Sequence, residues 1–138
     1  MAAAIVFATV SAPTRACTVE AVPLSFGSIN PLDRQAVDDA TTVTVTCPDD
    51  TPYTISLSAG EGNYGLRHMS NGAEQLNYQV FTDAAQTMVW GDGSAGTAVV
   101  TGRAGSAGSA HPLYGRVPVQ QSAVPGAYSD ILLLTITY

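Results

Sequence analysis

Hydrophobic and polar residues alternate along much of this chain with period two, the spacing that sends successive side chains to opposite faces of a β-strand. The clearest run closes the sequence. Leu132, Leu134, Ile136 and Tyr138 fall on one face, and Thr135 and Thr137 on the other. Thr41 to Cys47 sets Val43, Val45 and Cys47 against Thr42, Thr44 and Thr46. Tyr53 to Ser58 presents Tyr53, Ile55 and Leu57, and Leu76 to Thr82 presents Leu76, Tyr78 and Val80. Further strands are expected at Cys17 to Phe26 (broken by Pro23), around Leu66 to Met69, and at Thr87 to Trp90, Thr97 to Thr101, Leu113 to Val119 and Ile131 to Tyr138. Asn71-Gly72 is a turn pair of the hairpin type. A Gly-rich turn is expected at Ala59 to Gly65 and a loop at Gly102 to Ala110. Strands at this spacing, with no sustained helical period, predict an all-β sandwich. No internal repeat or long linker divides the chain, so its 138 residues read as one domain.

The closing strand raises a question of cover. A strand this apolar aggregates if its edge stays open, and the cover expected here is another protein chain.

Composition narrows the partners. Hydrophobic residues make up 46% and charged residues 12%, which leaves ample material for a core. The formal net charge is −6, with five Arg and no Lys. Phosphate neutralisation needs a basic face, so nucleic acid is not expected as a partner, nor is an anionic membrane surface. The apolar run Met1 to Ala12 is too short to span a membrane as a helix. It is similar to the core of an export signal, with Thr14-Arg15-Ala16 as the cleavage site, so residues 1–16 are expected to be a signal-peptide remnant. The alternative is a genuine strand, with Val6, Ala8 and Val10 on one face, or a weak donor strand. In an exported chain, the two cysteines Cys17 and Cys47 are expected to form a disulfide. It would close a loop of about thirty residues. Two cysteines without nearby histidine ligands do not make a metal site.

Little here supports catalysis. Ser94 and Ser106 sit among glycines but outside the pattern of a nucleophile elbow. Gly91-Asp92-Gly93-Ser94 is superficially like a phosphate cradle, yet it has no Lys and opens no helix, so a tight turn is the better reading. Asp38-Asp39 and Asp49-Asp50 lack calcium-loop spacing and are expected on solvated turns. His68 is expected on a strand and His111, before Pro112, in a loop. Neither has a catalytic partner nearby in sequence. Trp90 reads as a core or rim aromatic, with glycan contact as the alternative. No enzymatic activity, catalytic residue, metal or cofactor is expected.

The order of landmarks is more specific than any one of them. It runs Cys17-Thr18-Val19, Phe26-Gly27, Thr44 to Cys47, Tyr53-Thr54-Ile55, Arg67-His68-Met69, Leu76-Asn77-Tyr78, then Thr82 to Ala85 and Trp90-Gly91-Asp92. Tyr114 to Pro118, Pro125 to Asp130 and Leu134 to Tyr138 follow. From Cys17 to Tyr138 this resembles the spore coat protein U domain family, which includes subunits of archaic chaperone–usher pili of the Csu type. The resemblance implies an incomplete immunoglobulin-like Greek-key β-sandwich of about seven to nine short strands, held by one disulfide.

It further implies a non-enzymatic structural subunit of an extracellular pilus or coat. Its missing strand would be supplied first by a periplasmic pilus chaperone and then by a neighbouring pilin subunit. An outer-membrane usher would deliver it to the cell surface as part of a fimbrium. Leu132, Leu134, Ile136 and Tyr138 would line the groove. Four or five side chains buried there contribute roughly 6–15 kcal/mol gross, comparable to the stability of a small domain. Family stalk subunits carry a donor strand before the first Cys. Here Pro13 and Arg15 interrupt it, and the residues upstream are small. Cleavage after Ala16 would leave a chain that accepts a strand but does not donate one. The second reading is therefore a secreted tip-like adhesin or binding module, with Gly60 to Gly65 or Trp90 to Gly96 as contact loops.

Overall fold

The alternating runs fold as strands whose apolar faces meet in one core. A computed structural model of the chain describes residues 2–10, 17–28, 35–118, 124 and 126–138. Among these lie ten strands and no helix: β1 Ala2–Val10, β2 Thr18–Ala21, β3 Leu24–Ser28, β4 Val37–Thr46, β5 Thr51–Leu57, β6 Arg67–Asn71, β7 Glu74–Phe81, β8 Val100–Ala104, β9 Ser109–Val117 and β10 Ala127–Thr137. One layer sets β3, β1, β10, β5 and β8 side by side, with β6 against the start of β10. The other sets β2, β4, β9 and β7 in order. The architecture is the all-β, immunoglobulin-like one that the sequence suggested, with β1 as an additional strand.

Two of the passages between layers fall inside segments that alternation reads as single strands. The single strand expected over Cys17 to Phe26 is two strands in different layers. β2 pairs with β4, and β3 pairs with β1. Pro23 lies between them, with no N–H to continue a ladder. β7 crosses without a break: Glu74 to Tyr78 pair with β6, and Gln79 to Phe81 with β9. The β6–β7 hairpin turns on Gly72-Ala73, one residue later than the Asn71-Gly72 reading. Gly72 has φ +64°, which suits the first central position of such a turn.

Three expectations shift. β9 begins at Ser109, so His111 and Pro112 lie on a strand opposite Val43 and Thr42, and the expected Gly102 to Ala110 loop shrinks to a turn. Thr87 to Trp90 makes isolated bridges only, Phe81 to Val89 and Trp90 to Ala98. There the Asp83 carboxylate accepts the N–H groups of Thr87 and Met88 at 3.0 Å each, a local turn that competes with ladder pairing. Asp38-Asp39 lies on β4 rather than a turn. Asp38 faces Arg116 of β9 in register and pairs with it at 2.6 Å.

Inward positions follow the predicted phase. Val43, Val45, Cys47, Tyr53, Ile55, Leu57, Leu76, Tyr78 and Val80 are all buried. The two layers are also pinned by polar contact: the Tyr53 hydroxyl on β5 is hydrogen-bonded to His111 Nε2 on β9, with the rings edge-on at 5.7 Å between centroids. Cys17 and Cys47 form a disulfide across the β2–β4 pair, with 4.2 Å between Cα atoms.

Two outcomes follow. The disulfide closes a separation of 30 residues, and the chain-entropy relation assigns such a loop about 3–4 kcal/mol. Cys17→Ala/Cys47→Ala should lower the urea midpoint accordingly. An unchanged midpoint would show that the bridge is not formed or adds nothing. Burial also holds the His111 pKa below its usual 6.5. The unfolded chain therefore takes up a proton that the folded one resists, and stability is lost as pH falls through about 6.5 towards the lower folded value. His111→Asn should melt with a flatter dependence than wild type between pH 7 and pH 5. Parallel curves would remove His111 as the cause.

Candidate functional site

Among the described strands β10 carries the longest buried inward face, five residues. Tyr128, Asp130, Leu132, Leu134 and Ile136 point inward and are at most 4% exposed, and Tyr138 is half-buried beyond them. The residues expected to line a groove therefore do share one face, and that face is core. One edge of β10 pairs with Thr54 to Leu57 of β5 and, at Ser129, with β6. Ser58 extends this edge: its N–H donates to the Leu133 carbonyl at 2.9 Å, and its Oγ accepts from the Leu133 N–H at 2.8 Å.

The other edge faces a slot between β10 and β3, and in the single chain β1 fills it. β1 runs parallel to β10 in continuous register from Ala2–Ala127 to Val10–Thr135. It is antiparallel to β3 over Ala2 to Ile5 only, with an irregularity between Ala3 and Ala4. Inward pairs across the slot are Ala3 with Tyr128, Ile5 with Asp130 and Phe7 with Leu132. Ala3 and Ile5 are buried and Phe7 packs partly against the core. Val6 and Ala8 share a face, as the strand alternative held, but it is the outer one. There Val6 lies beside Ile131 and Ala8 beside Leu133. The expected cleavage site Thr14-Arg15-Ala16 and the interrupting Pro13 lie outside the described residues.

A polar cluster that alternation could not reveal fixes β10 against β6, β7 and the Ser58 to Leu66 loop. Asp130 accepts from the Tyr78 hydroxyl at 2.5 Å, the Ile131 N–H at 2.8 Å and the Glu61 N–H at 3.3 Å. Burial, and then the Asp130 hydrogen bond, push the Tyr78 pKa far above the ordinary tyrosine range, so the phenol stays a donor. Gly60 has φ +65°, and a Cβ there would collide with the Asp130 carboxylate. Arg67 is fully buried. Its guanidinium donates to the Ser58 and Trp90 carbonyls at 2.6 and 2.7 Å and to Gln79 Oε1 at 2.6 Å. Burial lowers its pKa from the usual value, and neighbouring Tyr78, Tyr64 and Asp130 offset this.

The other sequence candidates lie apart. Trp90 is fully buried, with its indole N–H on the Ile55 carbonyl at 3.2 Å, so it forms core and not a glycan contact. The segment after it is a tight turn, with Asp92 accepting from the Ser94 N–H at 2.9 Å. His68 is half-buried on β6, opposite Asn77 and away from His111. Asp50 pairs with Arg103 at 2.9 Å. Among the described residues no cluster of three or more His, Cys, Asp or Glu is placed to hold a metal ion, and no helix is long and apolar enough to cross a membrane.

The fold is similar to a chain in the pre-assembly complex of the chaperone CsuC and the tip adhesion subunit CsuE, from the archaic chaperone-usher Csu pili of Acinetobacter baumannii. The TM-score is 0.62 at 17% identity, and the match covers 91% of this chain and 40% of that one. This chain thus spans less than half the length of the protein it resembles. No curated protein matches it. The spore coat protein U domain matches residues 3–135, nearly the whole sequence with β1 included, and the chain belongs to that family.

Proposed function

We propose that this chain is a non-enzymatic structural subunit of an extracellular pilus or coat, assembled by donating and accepting a β-strand at the slot between β10 and β3. The observation that carries this reading is the slot itself. β10 has a buried inward face, and among the described residues the partner along its second edge is the sequence-distant β1. Such an edge gives main-chain hydrogen bonds to any extended strand and side-chain pockets to the right one. A periplasmic chaperone holds the slot during export, an usher takes the subunit outward, and a neighbour's strand replaces the chaperone in the fibre. Leu132, Leu134 and Ile136 form the slot floor and Tyr138 its far end.

Residues 2–10 are the donor strand in this reading and stay with the folded subunit. The match of the family from residue 3 supports this. The N-terminal mass of the surface-exposed protein decides it. A chain that keeps residues 2–10 both donates and accepts, whereas one that starts at Cys17 accepts only and ends a fibre.

Leu134→Asp, on the inward face, should abolish co-purification of the full chain with a co-expressed periplasmic pilus chaperone and its assembly into filaments seen by electron microscopy. Leu134→Ala should weaken both while keeping the chain folded. Ile131→Ser, on the outward face at 62% exposure, should leave both intact. Equal binding by all three variants, or no binding by wild type, would remove strand exchange as the function.

A further inference from the structure

β1 occupies the slot of its own chain, and it does so unevenly. Ala2 to Ile5 are held on both edges, by β10 and by β3. Val6 to Val10 register with β10 alone among the described strands. The β3 ladder stops at Leu24, opposite Ile5, and the next residue back is Pro23, which has no N–H to offer. The described inward residues of β1 are three: Ala3 and Ile5 are buried, and Phe7 packs partly against the core. Parallel pairing is slightly weaker per residue than antiparallel.

We propose that β1 is an intramolecular latch: seated in its own slot it keeps a free subunit monomeric, and it is peeled from its Val6–Val10 end when the corresponding strand of a second copy enters along β10. The proposal rests on the strand-exchange reading of the slot. Tethering decides which strand wins at low concentration. Six residues separate Val10 from Cys17, and a short tether gives an effective concentration on the order of millimolar. A second copy at micromolar concentration does not compete until β1 is loosened. The half-held end is where loosening begins, because opening it breaks pairing on one edge only. Val6 and Ile131, in register on the outer face and 48% and 62% exposed, mark the closed state without entering the core.

The test is the full chain carrying Val6→Cys and Ile131→Cys. Directly opposed strand positions suit a disulfide. The native bridge is only 1% exposed at each cysteine, so a mild reductant opens the engineered bond selectively. At micromolar concentration the crosslink should form within one chain, read as a monomer of unchanged mass class by non-reducing electrophoresis and native mass spectrometry. Oxidised, the variant should stay monomeric and ignore a tagged peptide with the sequence of residues 2–10. Mild reduction should raise peptide uptake at least tenfold and allow oligomers to form. A crosslink between chains at micromolar concentration, or none at all, would overturn the latch while leaving strand exchange standing. So would a locked monomer that takes up peptide as fast as the reduced one. If neither form takes up peptide or oligomerises and wild type also fails to bind a pilus chaperone, strand exchange itself is wrong and the latch falls with it.

Discussion

The backbone of β10 has to find hydrogen-bond partners along two edges while its inward side chains sit in the core. A paired backbone group is close to obligatory away from water, and an unpaired one costs about 1–3 kcal/mol. On one edge the supply is pieced together from β6 at Ser129, Ser58 at Leu133 and β5 from Leu134 onward. On the other edge, from Ala127 to Thr135, it comes from β1. An empty slot would either leave those groups unpaired or admit water beside Leu132 and Leu134, which are fully buried. Both outcomes are large against a stability of about 5–15 kcal/mol. The two-layer arrangement therefore depends on a strand being present there, whichever chain supplies it.

Asp130 and Arg67 add orientation where apolar packing would allow sliding. A pleated apolar strand can shift by two residues and bury much the same surface, but a buried carboxylate cannot move away from its donors at small cost. Asp130 is tied to Tyr78 on β7 and to the Glu61 backbone, and Arg67 is tied to Ser58, Gln79 and Trp90. Together these contacts fix β10 against the hairpin and the loop that complete its paired edge. Gly60 is needed for the same reason, since only a residue without a side chain lets the loop pass over the Asp130 carboxylate.

Alternation made β4, β5, β7 and β10 legible, because those strands bury one face and solvate the other. Cys17 and Cys47 were legible from their number alone. The start of β9 was hidden because Ala110 and Pro112 have low strand propensity and are carried by pairing with β4. The change of layer at Pro23 was visible as a break but not as a crossing, since a sequence does not say which sheet a strand joins. Asp130 and Arg67 look like exposed polar positions in a linear reading, and only their partners on distant strands make them core. The outward Ile131 and Leu133 mislead the other way, as they blur the phase of β10 into a continuous apolar run. The shared inward face of β10 could be read in advance, and the placement of β3 beside β1 could not.

β1 was the hardest element to read, and the reason bears on what it does. Its alanines and short apolar run are shared by export signals and by weak strands, so composition did not separate the two. Ala3, Ile5 and Phe7 nonetheless seat β1 beside Tyr128, Asp130 and Leu132, all of which are buried. Backbone pairing is indifferent to sequence, so it closes the slot with almost any extended segment. Specific packing comes from side chains that reach the core, and among the described β1 side chains Ala3, Ile5 and Phe7 do so.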